Sequence, residues 1–118
     1  MTTVTYQVPI GTSNRQDEWE YVTVEAVTVE TGLLVTPVVA GKSIQPGYVL
    51  THQPSGRNLL PPMRRYASLN DALATARELA ELGIDWTQDY PVIEQQAMRQ
   101  RAAIKAILGK RFQRGGRR

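Results

Sequence analysis

Catalysis needs a nucleophile, an acid–base group or a metal ligand, and this chain of 118 residues is poor in all three. It has no cysteine and one histidine, His52, set between Thr51 and Gln53. A catalytic histidine needs a positioned partner, and no motif around His52 supplies one. The expectation is a surface or hydrogen-bonded strand histidine. Without thiolates, and with one imidazole, a zinc site would need unusual carboxylate ligation. Asp85 and Asp89 could approach a hard cation, but helix capping and solvation explain that spacing as well. Gly41-Lys42-Ser43 echoes the end of a phosphate-binding loop, yet the glycine required five positions earlier is Thr36, and no helix pattern follows. The sequence therefore predicts a protein that is not an enzyme, with no catalytic residue, no metal site and no cofactor.

The stronger signal is charge. From Ala97 onward stand Arg99, Arg101, Lys105, Lys110, Arg111, Arg114, Arg117 and Arg118, with no acid among them. The other 96 residues hold six basic and all eleven acidic side chains, a net charge of −5. Such asymmetry bears on partners rather than on fold. Cations clustered on a helix end and a tail can neutralise phosphates and release condensed counterions. Cations in a last helical turn also complement the helix dipole, which accounts for Lys105 to Arg111 without any partner. It does not account for Arg114, Arg117 and Arg118. Arg114-Gly115-Gly116-Arg117 is one unit of the Arg/Gly pattern found in tails that track nucleic acid, and one unit has low specificity.

Arg57 and the run Met63-Arg64-Arg65-Tyr66 form a second basic cluster. With Tyr48, they could set an aromatic and cationic surface at one end of a sheet, able to stack single-stranded bases. The competing expectation, and the favoured one, is that Tyr66 packs onto the following helix as a hydrophobic staple. Trp19 is flanked by Asp17, Glu18 and Glu20, which would repel phosphate; Trp19, Trp86 and Phe112 read as core or interface anchors.

Two functions follow as expectations. The first is a small nucleic-acid-binding accessory protein that contacts DNA or RNA backbone through the basic helix and tail, with Arg57, Arg64 and Arg65 in support. The second is a protein–protein interaction module or inhibitor that uses the sheet edge or the C-terminal helix, possible as a homodimer. Its size and single charged appendage would also suit a phage or mobile-element accessory protein. Membrane binding ranks third, because the cations of the C-terminal helix do not gather on one side. Met1 to Pro9 lacks a basic and an apolar region of the secretory kind, and the longest apolar stretches fall far short of the ~20 residues of a membrane span. Cytoplasmic location is the expectation.

The elements that must position these residues form one α+β domain over residues 1–109, with a basic, flexible tail over 110–118. Strands are predicted at 4–10, 19–29, 33–39, 48–52 and 57–60, as an antiparallel meander of about four to five strands. Within 19–29, apolar residues occupy both faces, which predicts a central strand or one covered on its second side. Pro37 predicts an edge or a bulge, Gly32 a turn with positive φ, and residues 40–47 a loop. One helix over 69–82 packs on the sheet, N-capped by Ser68 and closed by Gly83. Its stripe is Leu69, Ala72, Leu73, Ala76, Leu79 and Ala80. A second helix over 91–108 begins at Pro91, with a weaker stripe interrupted by Gln100.

Overall fold

The computed structural model describes residues 2–9, 20–59 and 64–111. Five strands, β1 (Thr2–Pro9), β2 (Tyr21–Glu30), β3 (Leu33–Ala40), β4 (Ser43–His52) and β5 (Arg57–Asn58), form one antiparallel sheet in chain order. Three helices follow, α1 (Leu69–Ala80), α2 (Tyr90–Met98) and α3 (Arg101–Gly109). This is the α+β meander that the alternation and capping signals predict. The predictions for Ile10, Trp19, Leu60, Phe112 and residues 113–118 lie outside the described residues.

Strand alternation supplies two apolar faces. Leu33, Val35 and Leu50 point to one side and meet Ala72, Leu73, Ala76 and Leu79 of α1. Val24 and Ala26 point to the other side, opposite Tyr6 and Val4 of β1. That side is covered because the sheet curls. Tyr6 and Val8 bound a cavity of about 90 Å³ together with Gly56 and Asn58 from the β4–β5 hairpin. The Thr36 and Thr51 hydroxyls pair there at 2.9 Å, which satisfies two buried polar groups.

Beyond shifts of one or two residues at other element ends, two boundaries differ from the sequence-based expectation. Residues 40–47 are not a loop: only Gly41-Lys42 turn, and β4 begins at Ser43 opposite Ala40. Pro46-Gly47, which reads as turn chemistry, is absorbed as a bulge between the pairs Pro37–Tyr48 and Val38–Gln45. The irregularity expected at Pro37 is therefore present, and the ladder runs on past it.

The helix predicted over 91–108 is two helices. A straight helix from Tyr90 to Gly109 would be about 30 Å long, against about 18 Å for the twelve residues of α1 beside it, and would overrun the core. The chain breaks at Arg99-Gln100, where Gln100 leaves helical geometry at φ −124°. Its side-chain amide then donates to the Leu82 carbonyl at 3.1 Å, beyond the end of α1. The polar residue that interrupts the apolar stripe is thus the one that makes the bend.

Trp86 and Ile84 in the α1–α2 connector are buried, as plugs at the edge of the core. Trp86 also explains Gly32. A Cβ at Gly32 would lie 2.3 Å from the Trp86 carbonyl oxygen, and the residue holds φ +91°.

Candidate functional site

His52 is fully buried and has a partner at each nitrogen. Nε2 lies 2.9 Å from the Gln88 carbonyl, which can only accept, so the proton is on Nε2. In the neutral ring Nδ1, 2.7 Å from the Ser55 hydroxyl, is then the acceptor. This is a serine–histidine contact, but the same Ser55 oxygen also accepts the Arg57 backbone N–H at 3.1 Å, inside a turn closed by Gly56 N–H to the His52 carbonyl. The arrangement staples the β4–β5 hairpin to the α1–α2 connector. Asp85 is likewise used locally: it accepts from the Thr87 hydroxyl, the Gln88 amide and the Thr87 backbone N–H, and these bonds hold its carboxyl below its ordinary range. Asp89 precedes α2 at the N-cap position without a side-chain capping bond. Among the described residues no group of three or more His, Cys, Asp or Glu could hold a metal ion. Lys42, in the glycine-lysine-serine run, sits in the β3–β4 turn and pairs with Glu20 at 2.7 Å.

A large concavity lies between the end of β5, α2 and α3, and measures about 1260 Å³. Its aliphatic lining comes from Leu59, Pro91, Ala97, Met98, Ile104 and Leu108. Among the described residues Arg64, Arg101 and Lys105 line it as cations, with Glu94 as the single acid. Tyr90 forms part of one wall. Arg57 stands over its ring at 4.8 Å, and His52 lies tilted against it at 5.7 Å. Met98 is 75% exposed, a large apolar side chain turned away from the core and into this groove.

A smaller cavity of about 120 Å³ adjoins the groove. The two share Leu59, Tyr90, Glu94, Ala97, Ile104 and Leu108, and the smaller one reaches Leu79, Trp86 and Ile93 in the core. Trp86 is 3% exposed, and its Nε1 has no acceptor among the described residues.

The predicted basic arm divides in three. Lys110 and Arg111 turn onto α1 and pair with Glu78, the lysine at 2.8 Å, and together they hold the Glu78 carboxyl below the usual carboxylate range. Arg101 and Lys105 line the groove, while Arg99 is exposed outside it. Arg99, Arg101 and Lys105 make no ion pair among the described residues. Arg114, Arg117 and Arg118 lie outside the described residues. Of the second cluster, Arg64 joins the groove and Arg57 covers Tyr90, whereas Arg65 points elsewhere, donating to the Pro46 carbonyl at 3.3 Å.

Tyr66 is 0% exposed and donates its phenol to the Leu108 carbonyl at 2.7 Å. Burial pushes the phenol up to about 12, against smaller opposing effects from Thr75 and Arg111. Tyr48 is half-buried against the core and bridges Tyr66 through two backbone hydrogen bonds of 2.8 Å. Neither forms an open stacking surface, which is the outcome favoured from sequence. Of the groove's apolar lining, Ala97, Ile104 and Leu108 belong to the interrupted stripe of the C-terminal helix that the sequence offers to a partner, whereas Leu59, Pro91 and Met98 carry no such signal. Comparisons with protein-family models, curated proteins and solved structures gave no match, so the groove is interpreted from its own geometry.

Proposed function

We propose that the chain is a non-enzymatic docking module whose groove receives an acidic, partly apolar segment of a protein partner. One observation carries this: an aliphatic floor framed by Arg64, Arg101 and Lys105, drawn from two distant stretches of sequence. At about 1260 Å³ the groove exceeds the ~300–1,000 Å³ of small-molecule sites. A floor of Leu59, Met98, Ile104 and Leu108 suits aliphatic side chains better than bases, which favour aromatic stacking. The one aromatic ring among the described residues of the wall, Tyr90, is already covered by Arg57. Support for the absence of catalysis comes from His52, whose two nitrogens are committed to Ser55 within its turn and to the Gln88 carbonyl in the α1–α2 connector. No helix among the described residues is long and apolar enough to cross a membrane.

A second proposal, binding of DNA or RNA backbone, is favoured by Arg99, Arg101 and Lys105. They are exposed without acidic partners among the described residues and lead toward the Arg-rich terminus. Four phosphate contacts would give log K a slope of about −3 to −4 against log salt.

Met98→Ala and Lys105→Ala distinguish the two, because Met98 is too exposed for its loss to unfold the domain. Each variant is titrated by anisotropy with a labelled acidic amphipathic peptide and with a labelled oligonucleotide. Docking predicts that Met98→Ala weakens peptide binding several-fold and leaves oligonucleotide binding unchanged, with Lys105→Ala weakening both. Oligonucleotide binding alone, insensitive to Met98, would replace docking with the nucleic-acid proposal. Deleting 112–118 is the clean test of the tail, since Lys110 and Arg111 also tie α3 to α1.

A further inference from the structure

We infer that the segment seated in the groove is an amphipathic helix of about three turns that inserts one bulky apolar side chain into the smaller cavity beneath; this rests on the docking proposal and specifies its partner. A groove of about 1260 Å³ has room to seat one face of a helix of about three turns, each ~5.4 Å long and ~10 Å wide. An added strand would find little to pair with. The neighbouring edge strand, β5, is two residues long, and the Leu59 N–H beyond it is already bonded to Leu50 at 2.9 Å.

The charge of the groove sets the chemistry of the helix. Arg101 and Lys105, which make no ion pair among the described residues, line it with Glu94 as the one acid of its described lining, so the complementary helix carries Asp or Glu beside its apolar stripe. The cavity sets the anchor. At about 120 Å³ it is smaller than the ~150 Å³ apolar cavity that admits a benzene ring, so it holds one aliphatic side chain of about leucine size. Its inner wall is Leu79, Trp86 and Ile93, so an anchor there would be fully desolvated, as interface residues that dominate affinity are.

The test uses the full chain and a displayed library of twelve-residue helix-forming peptides. Their flanks carry acidic residues, and one central position carries all twenty amino acids. Selection is expected to enrich Leu, Ile or Met at that position. Replacing the selected anchor by Ala in the synthetic peptide is expected to lower affinity roughly 30-fold. In Trp19→Phe protein, the remaining Trp86 emission is expected to change on peptide addition and to stay constant with a twelve-nucleotide single strand. Ala97→Leu, which fills the cavity from its mouth, is expected to abolish anchor preference; the anchor comparison on the unsubstituted chain stands without it.

Peptides bound through their acids with no preference at the central position, and no change at Trp86, would overturn the anchored helix while leaving acidic-segment docking in place. No enrichment, with the single strand binding tightly, would overturn both. Binding dependent on a second copy of the chain in light scattering would also overturn it, because the groove would then be a dimer interface.

Discussion

Gly32 shows how one residue type can be fixed by a contact remote in sequence. Turn chemistry after Glu30 accounts for a glycine there, but any residue tolerant of positive φ would satisfy the turn. The Trp86 carbonyl makes a Cβ impossible without rearrangement. Gly32→Ala should therefore cost at least ~2 kcal/mol, more than backbone strain alone, as read from the urea midpoint. An unchanged midpoint would mean that the connector shifts freely. Tyr66 offers a second measurement. Tyr66→Phe leaves the Leu108 carbonyl without its donor and should cost about 1 kcal/mol. The folded phenol keeps its proton to about 12, against an ordinary 10.0, so this contribution is complete below pH 10 and is lost as pH rises from 10 toward 12. Stability curves for the wild type and Tyr66→Phe should converge over that window.

At the scale of elements, α3 is held at both ends by polar contacts rather than by a deep apolar face. Gln100 bonds the Leu82 carbonyl at its start, and Lys110 and Arg111 grip Glu78 at its end. Between them Ile104, Ile107 and Leu108 are only partly buried. Glu78→Gln should thus speed amide exchange across 101–109 while leaving β2 to β4 protected. The pair also has a pH sign. Glu78 is held below the usual carboxylate range, so its contribution is present at neutral pH and is lost as pH falls through that lowered value. Amide shifts of Ile104 to Arg111 in an acid titration report it; shifts that stay constant there would show that the pair does not restrain the helix. The cations most easily read as phosphate contacts include two that hold the fold together. Charge counts along a chain cannot separate these roles, because Glu78 is more than thirty positions away.

For the whole molecule, the groove and its inner cavity set stability against binding. Ala97→Leu fills space beside Leu79 and Trp86, and is expected to raise stability by ~1 kcal/mol while lowering peptide affinity. Thermal denaturation and anisotropy on one preparation would read both signs. A variant that loses stability would show that the cavity walls are already close-packed. The sequence by itself determined the meander, the α1 face and the Pro37 irregularity, because each depends on neighbours a few positions apart: alternation, capping, proline's missing donor. The break at Gln100, the commitment of His52 and the division of the basic arm were decided by tertiary structure. So was the meeting of Leu59 and Arg64 with Ala97, Arg101 and Lys105 around one apolar floor. That meeting follows from how α2 and α3 fold back over the sheet, and no spacing within either stretch encodes it.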